Sequence, residues 1–362
     1  MEEITLKDFW LEKNECTGCG MCSNVCPKKA IKMISDKSGF LYPEITEACV
    51  DCNICEKACR SRVGFKNKAR FEKPDTYASW SENEDIRYNS TSGGAFSELA
   101  KIILEKGGCV AGALYNENNK VEHAIIYNEE GLKKIRQSKY TQSDMRDIYK
   151  ELEKELRTKK LVAFCGAPCQ VAALYAYLKN DYDNLITFDF ICRGMNSPKA
   201  YKAWLTEIEN TEHKRVKKVW FKYKFMGWKK SPKCTRVDFE DGSFRVFNDK
   251  DNLFMKCYLG PNLYIRPSCG KCGFKGLPRQ SDITLADFWG IEPELDDDKG
   301  TSMILVNSEK GRKLIRMTDS LVMHKRSLDE IFEGNVCFDG SVIINPKSSE
   351  FLADLDNMSF SQ

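Results

Sequence analysis

The chain has 362 residues, 56 basic and 53 acidic, for a formal net charge of +3, and it carries 17 cysteines against only 3 histidines. At this length a core forms without covalent staples, so the odd cysteine count and a start lacking basic and apolar leader segments point to a reducing cytoplasm, not a disulfide scaffold. Near-balanced charge weighs against a nucleic-acid partner, no apolar run approaches the roughly eighteen residues of a membrane helix, and scarce histidine weighs against a His-centred hydrolase.

Eight cysteines fall before residue 60, in two runs of the form C-x2-C-x2-C-x3-C: Cys16, Cys19, Cys22, Cys26 and Cys49, Cys52, Cys55, Cys59. Three thiolates at that spacing let a tight loop wrap one iron–sulfur cube, while the fourth ligates the neighbouring cluster. The expected pairing is therefore crossed, with Cys16, Cys19, Cys22 and Cys59 on one [4Fe–4S] cluster and Cys49, Cys52, Cys55 and Cys26 on the other. Zinc sites would show isolated C-x2-C pairs, each site closed by four ligands. Over residues 12–62 the stretch resembles a bacterial-type two-cluster ferredoxin module. Arg60 departs from it where the second motif usually carries proline, which bears on the second cluster's potential. Between the motifs, residues 30–34 and 40–43 read as strands joined by the turn Asp36-Lys37-Ser38-Gly39.

Residues 63–75 are basic, polar and end near a proline, as a linker does. Strand and helix signals then alternate: strand 77–80, helix 95–105, paired strands 109–115 and 121–127, helix 144–157, strand 161–164, helix 171–178 and strand 185–190. Ser197-Pro198 opens a helix to about residue 209, with serine at the N-cap and proline at N1. Past residue 215 the chain turns to hairpins, one of them at residues 237–244 with an Asp-Gly turn. The pattern is that of an α/β core with helices on the sheet faces.

Four further cysteines fall at expected loops: Cys169 and Cys192, each after a strand, and the C-x2-C pair Cys269 and Cys272. From the residues alone a third cluster, a zinc ion and plain buried thiols all remain open. Cys109, Cys234, Cys257 and Cys337 read as structural, and Cys165 is undecided. The segment from Arg87 to Ser97, rich in hydroxyls with Gly93 and Gly94, runs into a helix N-terminus, which suits either a phosphate or an ordinary capped helix. No G-x-G-x-x-G or G-x-x-x-x-G-K-[ST] occurs, so the Rossmann and P-loop routes to a nucleotide are excluded. Residues 213–233 hold nine Lys or Arg and no acid. Period-two alternation puts Val219, Phe221, Tyr223 and Phe225 on one strand face and Lys218, Lys222 and Lys224 opposite, either a solvated face or a dock for something anionic. His123 reads as a packed residue, and His213 and His324 as solvated.

Several stretches taken together resemble one family, the coenzyme F420 hydrogenase/dehydrogenase beta-subunit family. They are Ser90 to Ser97, Ser138-Lys139-Tyr140-Thr141-Gln142-Ser143, Gly166 to Gln170, Ile191-Cys192-Arg193-Gly194 with Ser197-Pro198, Cys269 to Phe274, and Ser281 to Gly290. Arg193 is a departure, standing where many relatives carry histidine. The resemblance implies FAD held by Ser90, Ser92, Gly93, Gly94, Phe96, Lys139, Tyr140, Gln142 and Ser143, beside a third [4Fe–4S] cluster on Cys169, Cys192, Cys269 and Cys272. It implies a cytoplasmic iron–sulfur flavoprotein oxidoreductase passing electrons between a ferredoxin-like carrier or partner subunit and a small hydride acceptor or donor. That partner is coenzyme F420 or another organic substrate, and Lys139 is the candidate catalytic residue, stabilising charge near the flavin. The alternative is a non-catalytic electron-transfer adaptor subunit of a larger redox complex. The fold expected is α+β: a ferredoxin domain over residues 1–66, a linker over 67–75, and a larger α/β flavin-binding domain with mixed sheet and hairpins over 76–362.

Overall fold

A computed structural model describes residues 11–63, 67 and 69–362. Residues 1–10, where no leader segment is expected, and residues 64–66 and 68, at the expected passage from ferredoxin domain to linker, lie outside them. The strands, in chain order, are β1 (Ile31–Ser35), β2 (Leu41–Ile45), β3 (Asp75–Ser81), β4 (Cys109–Tyr115), β5 (Val121–Ile126), β6 (Val162–Cys165), β7 (Leu185–Phe190), β8 (Val216–Phe221), β9 (Thr235–Phe239), β10 (Phe244–Phe247), β11 (Ile283–Asp287), β12 (Ser302–Val306) and β13 (Leu321–Arg326). They form a two-stranded hairpin, a three-stranded antiparallel sheet β10-β9-β8, and an eight-stranded mixed sheet ordered β13-β3-β12-β11-β7-β6-β4-β5. The architecture is the expected α+β arrangement.

The middle of the large sheet is parallel, β4 with β6, β6 with β7 and β7 with β11, while both flanks are antiparallel. The parallel strands read as apolar runs because helices cover both faces: Val162, Ala163, Phe164 and Leu185 are fully buried. The helices Ala95–Glu105 and Pro198–Glu212 form where expected, and Ser197 caps the second by accepting from the Lys199 and Ala200 amides. The helix expected from residue 144 starts instead at Ile148, because Asp144 bridges to Glu122 at the sheet edge.

The small N-terminal module is fused to the body through shared cores. Met21 packs with Met145 and Tyr149, and Phe40 and Tyr42 pack with Tyr201, Trp204 and Tyr264. From Arg70 onward the segment expected as a linker is docked: Arg70 is buried and ion-paired with Asp282 at 3.2 Å, and the Phe71 amide donates to Asn307 O at 2.7 Å.

The basic segment departs from its expected alternation. β8 ends at Phe221, Lys222 turns through φ 55°, and Lys222 and Lys224 lie buried. The ammonium of Lys224 donates to the carbonyls of Arg87, Ser92 and Lys299, and that of Lys222 pairs with Asp287. These carbonyls and this carboxylate offset the cost of burying the lysines, which a solvated strand face would leave outside. Cys337 lies in a turn after the helix Asp329–Gly334 and belongs to no strand or helix. His324 is half-buried and stacks on Trp80 at 5.1 Å, against the solvated reading; His213 is exposed.

Candidate functional site

The two cysteine runs fold alike. Gly18 and Gly20 take φ of 66° and 71°, and the residues at matching positions in the second run, Asp51 and Asn53, take 51° and 56°. Left-handed residues curl the chain tightly, and glycine, asparagine and aspartate tolerate that conformation best. Each loop enters a short helix, Met21–Val25 or Ile54–Ala58, that ends on the fourth cysteine in matching extended conformations. That helix carries the fourth sulfur away from its own loop. The sulfurs acting on Cys22 are those of Cys19, Cys16 and Cys59, and those acting on Cys55 are Cys26, Cys52 and Cys49. Burial, reinforced by these neighbours, pushes Cys19 and Cys55 up to about 11 and Cys22 well above the ordinary thiol range. Four thiolates gathered there need compensating positive charge, which iron supplies.

A third quartet forms from distant segments. Cys169 is in the first turn of the helix Pro168–Leu178, Cys192 follows β7, Cys269 is in the turn Pro267–Lys271, and Cys272 ends that turn. Burial raises Cys169 far above the thiol range, and the sulfurs acting on it are Cys272, Cys192, Cys19 and Cys269. Cys19 belongs to the first quartet, so the first and third quartets are neighbours. The Met195 amide donates to Cys269 Sγ at 3.4 Å and the Ala30 amide to Cys26 Sγ at 3.3 Å, the kind of contact that tunes a cluster. Among the described residues no group of three or more His, Cys, Asp or Glu is arranged to hold a single metal ion. A cube spreads its four thiolates over four iron corners, farther apart than four ligands on one zinc.

Beside the third quartet opens a cavity of about 490 Å³, within the usual range for ligand sites. It lies outside the carboxyl ends of the parallel strands, where α/β sheets place ligands. Its walls include Ser90, Ser92, Gly94 and Phe96 of the Ser/Gly loop, then Lys139, Tyr140 and Ser143, then Cys165, Cys192, Arg193, Lys222 and Trp289. Two residues expected at the cofactor do not line it. Gly93 presses against β3 and β12, where an added Cβ would come within 2.8 Å of the Ser302 amide. Gln142 ties the module to the body, its Oε1 accepting from the Leu41 amide at 3.0 Å and from Arg266 Nη1 at 3.2 Å.

The loop's hydroxyls are partly spent on protein. Ser92 Oγ donates to Thr301 O at 2.6 Å, and Ser90 Oγ to Ile86 O at 2.7 Å. Lys139 Nζ donates to the carbonyls of Lys134, Arg136 and Gln137, at the end of the helix Glu129–Ile135. All three donors of its ammonium form are occupied, so it offers the cavity no free hydrogen bond. Burial, with Lys218 nearby, lowers it to about 7. His123 bonds Ser143 Oγ at 2.6 Å and Cys165 O at 3.1 Å, and burial lowers it to about 4, so it stays neutral. Arg136, Thr141, Asp189 and Arg193, all in the cavity wall, each keep a buried polar atom without a protein partner.

Sequence reasoning missed Lys222, Asp287 and Trp289. Lys222 pairs with Asp287 and lies over the Trp289 ring at 5.3 Å; burial lowers its proton affinity, but Asp287 and Tyr140 outweigh this and hold it above the usual lysine range. Asp287 and Trp289 sit within the stretch from Ser281 to Gly290, which marked the place without giving their roles. Arg193 Nη2 donates to Leu259 O and Asn262 Oδ1, at 2.7 and 2.8 Å. No helix among the described residues is long and apolar enough to cross a membrane.

Comparison with known proteins gives three family matches. Residues 15–63 match a 4Fe-4S dicluster domain, residues 76–150 the coenzyme F420 hydrogenase/dehydrogenase beta subunit N-terminal model, and residues 159–330 its C-terminal model. An uncharacterized protein of Methanocaldococcus jannaschii is 24% identical over 341 residues, covering 84% of this chain and 87% of the relative. The coenzyme F420-dependent sulfite reductase of the same organism is 27% identical over 172 residues, 45% of this chain and 25% of that protein. A chain of the F420-reducing [NiFe] hydrogenase complex from Methanosarcina barkeri shares the fold, at a TM-score of 0.50 and 15% identity, covering 74% of this chain and 89% of that one. The N-terminal region thus carries [4Fe–4S] clusters, whose chemistry is one-electron transfer. With the N-terminal and the C-terminal models of that one subunit both matched, in order, behind that region, the chain belongs to the coenzyme F420 hydrogenase/dehydrogenase beta-subunit family.

Proposed function

We propose that the chain is an iron–sulfur flavoprotein oxidoreductase: its cavity takes FAD and a small hydride-exchanging partner, coenzyme F420 or another organic substrate. A ferredoxin-like carrier or a partner subunit exchanges electrons at the outer quartet, Cys26, Cys49, Cys52 and Cys55. The observation carrying this reading is that one cavity has the Ser/Gly loop in one wall and Cys192 in another. The donor set suits a flavin, because the wall combines backbone and hydroxyl groups with cations and with buried polar atoms that protein leaves unsatisfied. Ser90, Ser92, Gly94, Phe96, Tyr140 and Ser143 would hold it, with Gly93 and Gln142 supporting from behind. A bound flavin exchanges a hydride with an organic partner and single electrons with a cluster.

The chain's own groups prepare that exchange. Lys139, lowered to about 7 and so close to an even balance of charged and neutral forms at neutral pH, is held by carbonyls, and Lys222 is held by Asp287, so neither needs a ligand to keep it in place. Asp189 is fixed through one oxygen, which accepts from Thr284 and pairs with Arg279, and its other oxygen has no protein partner, so it can take an N–H or O–H of a ligand. Phe96 and Ile135 add apolar wall that excludes water.

Anaerobic purification tests the reading. We expect flavin released on denaturation and about twelve irons per chain, as three cubes of four require. Iron near eight would remove the third cluster. Iron without flavin would sink the oxidoreductase reading and favour a non-catalytic adaptor.

A further inference from the structure

Four arginines among the described residues are buried: Arg70, Arg87, Arg266 and Arg279. Three have a carboxylate partner, Arg70 with Asp282, Arg87 with Asp297 and Arg279 with Asp189. Arg266, fully buried, has none among the described residues. Its guanidinium donates to neutral acceptors, Nε to Cys16 O at 2.7 Å, Nη2 to Leu41 O at 3.0 Å and Nη1 to Gln142 Oε1 at 3.2 Å, and it lies 4.1 Å from the centre of the Tyr42 ring. A guanidinium is charged at any physiological pH, and a buried charge without an anion is costly. Something anionic must therefore act on it.

Its position shows what. The side chain reaches the carbonyl of Cys16, in the first quartet, while its own backbone opens the loop of the third: the Cys269 amide donates to Arg266 O at 3.0 Å. A [4Fe–4S] cluster with four thiolates is a net anion, and Arg266 touches the loops of two of the quartets that would each hold one. Another cation acting on Cys269 is Lys275, whose ammonium binds the carbonyls of Cys337 and Gly340 toward the surface, where solvent screens it; Lys271, in the same loop, is exposed.

We infer that Arg266 is the shared counter-charge of the two inner clusters, raising the reduction potential of both relative to the outer one. The inference rests on the three-cluster reading above. Each cluster gains one electron from the carrier with no bond made or broken, and a fixed buried cation favours the more negative, reduced state. Electrons entering at the outer cluster are thereby drawn inward, and the same side chain holds the module against the body at the crossing point.

EPR-monitored redox titration of the full chain under anaerobic conditions tests this. The signal lost in Cys52→Ser identifies the outer cluster. In Arg266→Gln the two inner midpoints should fall while the outer one stays, and in Arg266→Lys, which keeps the charge, both inner midpoints should stay near those of the unaltered protein. Three midpoints moving together, or none moving with iron still near twelve per chain, would overturn the inference. Should Arg266→Gln lose iron or fail to fold, Arg266→Lys decides: inner midpoints that fall although the charge is retained assign the effect to hydrogen-bond geometry and overturn it. Iron near eight in the unaltered protein marks failure of the three-cluster reading itself.

Discussion

In the first cysteine loop Met21 is 2% exposed and Cys16 and Cys22 are buried; in the second, Ile54, at Met21's position, is 37% exposed and Cys52 is open to solvent. The spacing and backbone turns are the same in both. The difference lies in what each loop faces. The first meets Met145, Tyr149, Gln142 and Arg266 of the body, so glycine at position 18 answers both a positive φ and a close approach. The second meets solvent, and there Asp51 and Asn53 take the same positive φ on the exposed side, with the Asp51 carboxylate accepting from Cys49 Sγ at 3.7 Å. A repeated motif has thus become an inner site beside the third quartet and an outer one open to solvent.

The largest expected effect that would break this contrast is at Gly18. An added Cβ would meet Arg266 Nη1 and Leu41 O at 2.8 Å, and Gln142 Nε2 closer still, on a backbone at φ 66°. Gly18→Ala should cost roughly 3–5 kcal/mol, strain and overpacking together, and release iron from the inner site. Asp51→Ala, at the equivalent outer position, should cost less, about 1–2 kcal/mol, since the side chain there is exposed. Thermal denaturation with iron assay checks both, and equal losses would remove the contrast.

Next in size is the pair Met21→Ala and Ile54→Ala. The buried methionine should cost about 2–5 kcal/mol and the half-open isoleucine under about 1 kcal/mol in chemical denaturation. A smaller separation would mean that the module loosens from the body.

The body beneath the inner loop also has its own acid response. His123 is lowered to about 4 by burial, with Lys139 adding, so the unfolded chain binds the extra proton first. Stability should therefore fall as pH drops from about 6.5 to 4, by roughly 3 kcal/mol. His123→Gln should flatten that slope in tryptophan-fluorescence unfolding; an unchanged slope would show that the histidine is not the group responsible.

The smallest effect is kinetic. With Cys52 exposed, a chelator under mild oxidation should take about four irons per chain first, from the outer cluster. Cys269→Ser should leave that early phase unchanged while lowering total iron by about four. Loss of the early phase would place Cys269 in the outer cluster.

Much of this was legible locally. Eight cysteines within one short stretch fix their loops because three of the four sulfurs expected on each cube are only three residues apart, and the alternation of strands and helices gave the mixed sheet with Ser197 capping its helix. The Ser/Gly loop stood out and does line the cavity, although its spacing could not show that Gly93 packs on the sheet or that Gln142 ties the module down. Lys222 and Lys224 were misread because period-two alternation assumes a continuing strand, and the turn at φ 55° ends it.

The sequence by itself determined the two-cluster module, the order of the elements and the candidate residues, all set by short-range spacing and local backbone preference. Only the tertiary structure decided that Cys169, Cys192, Cys269 and Cys272 meet, that the first cluster loop faces inward, and that Arg266 is buried against both with no carboxylate partner among the described residues. Those outcomes depend on which distant segments share one core, and burial, which sets the energy of every charge here, is a property of that packing.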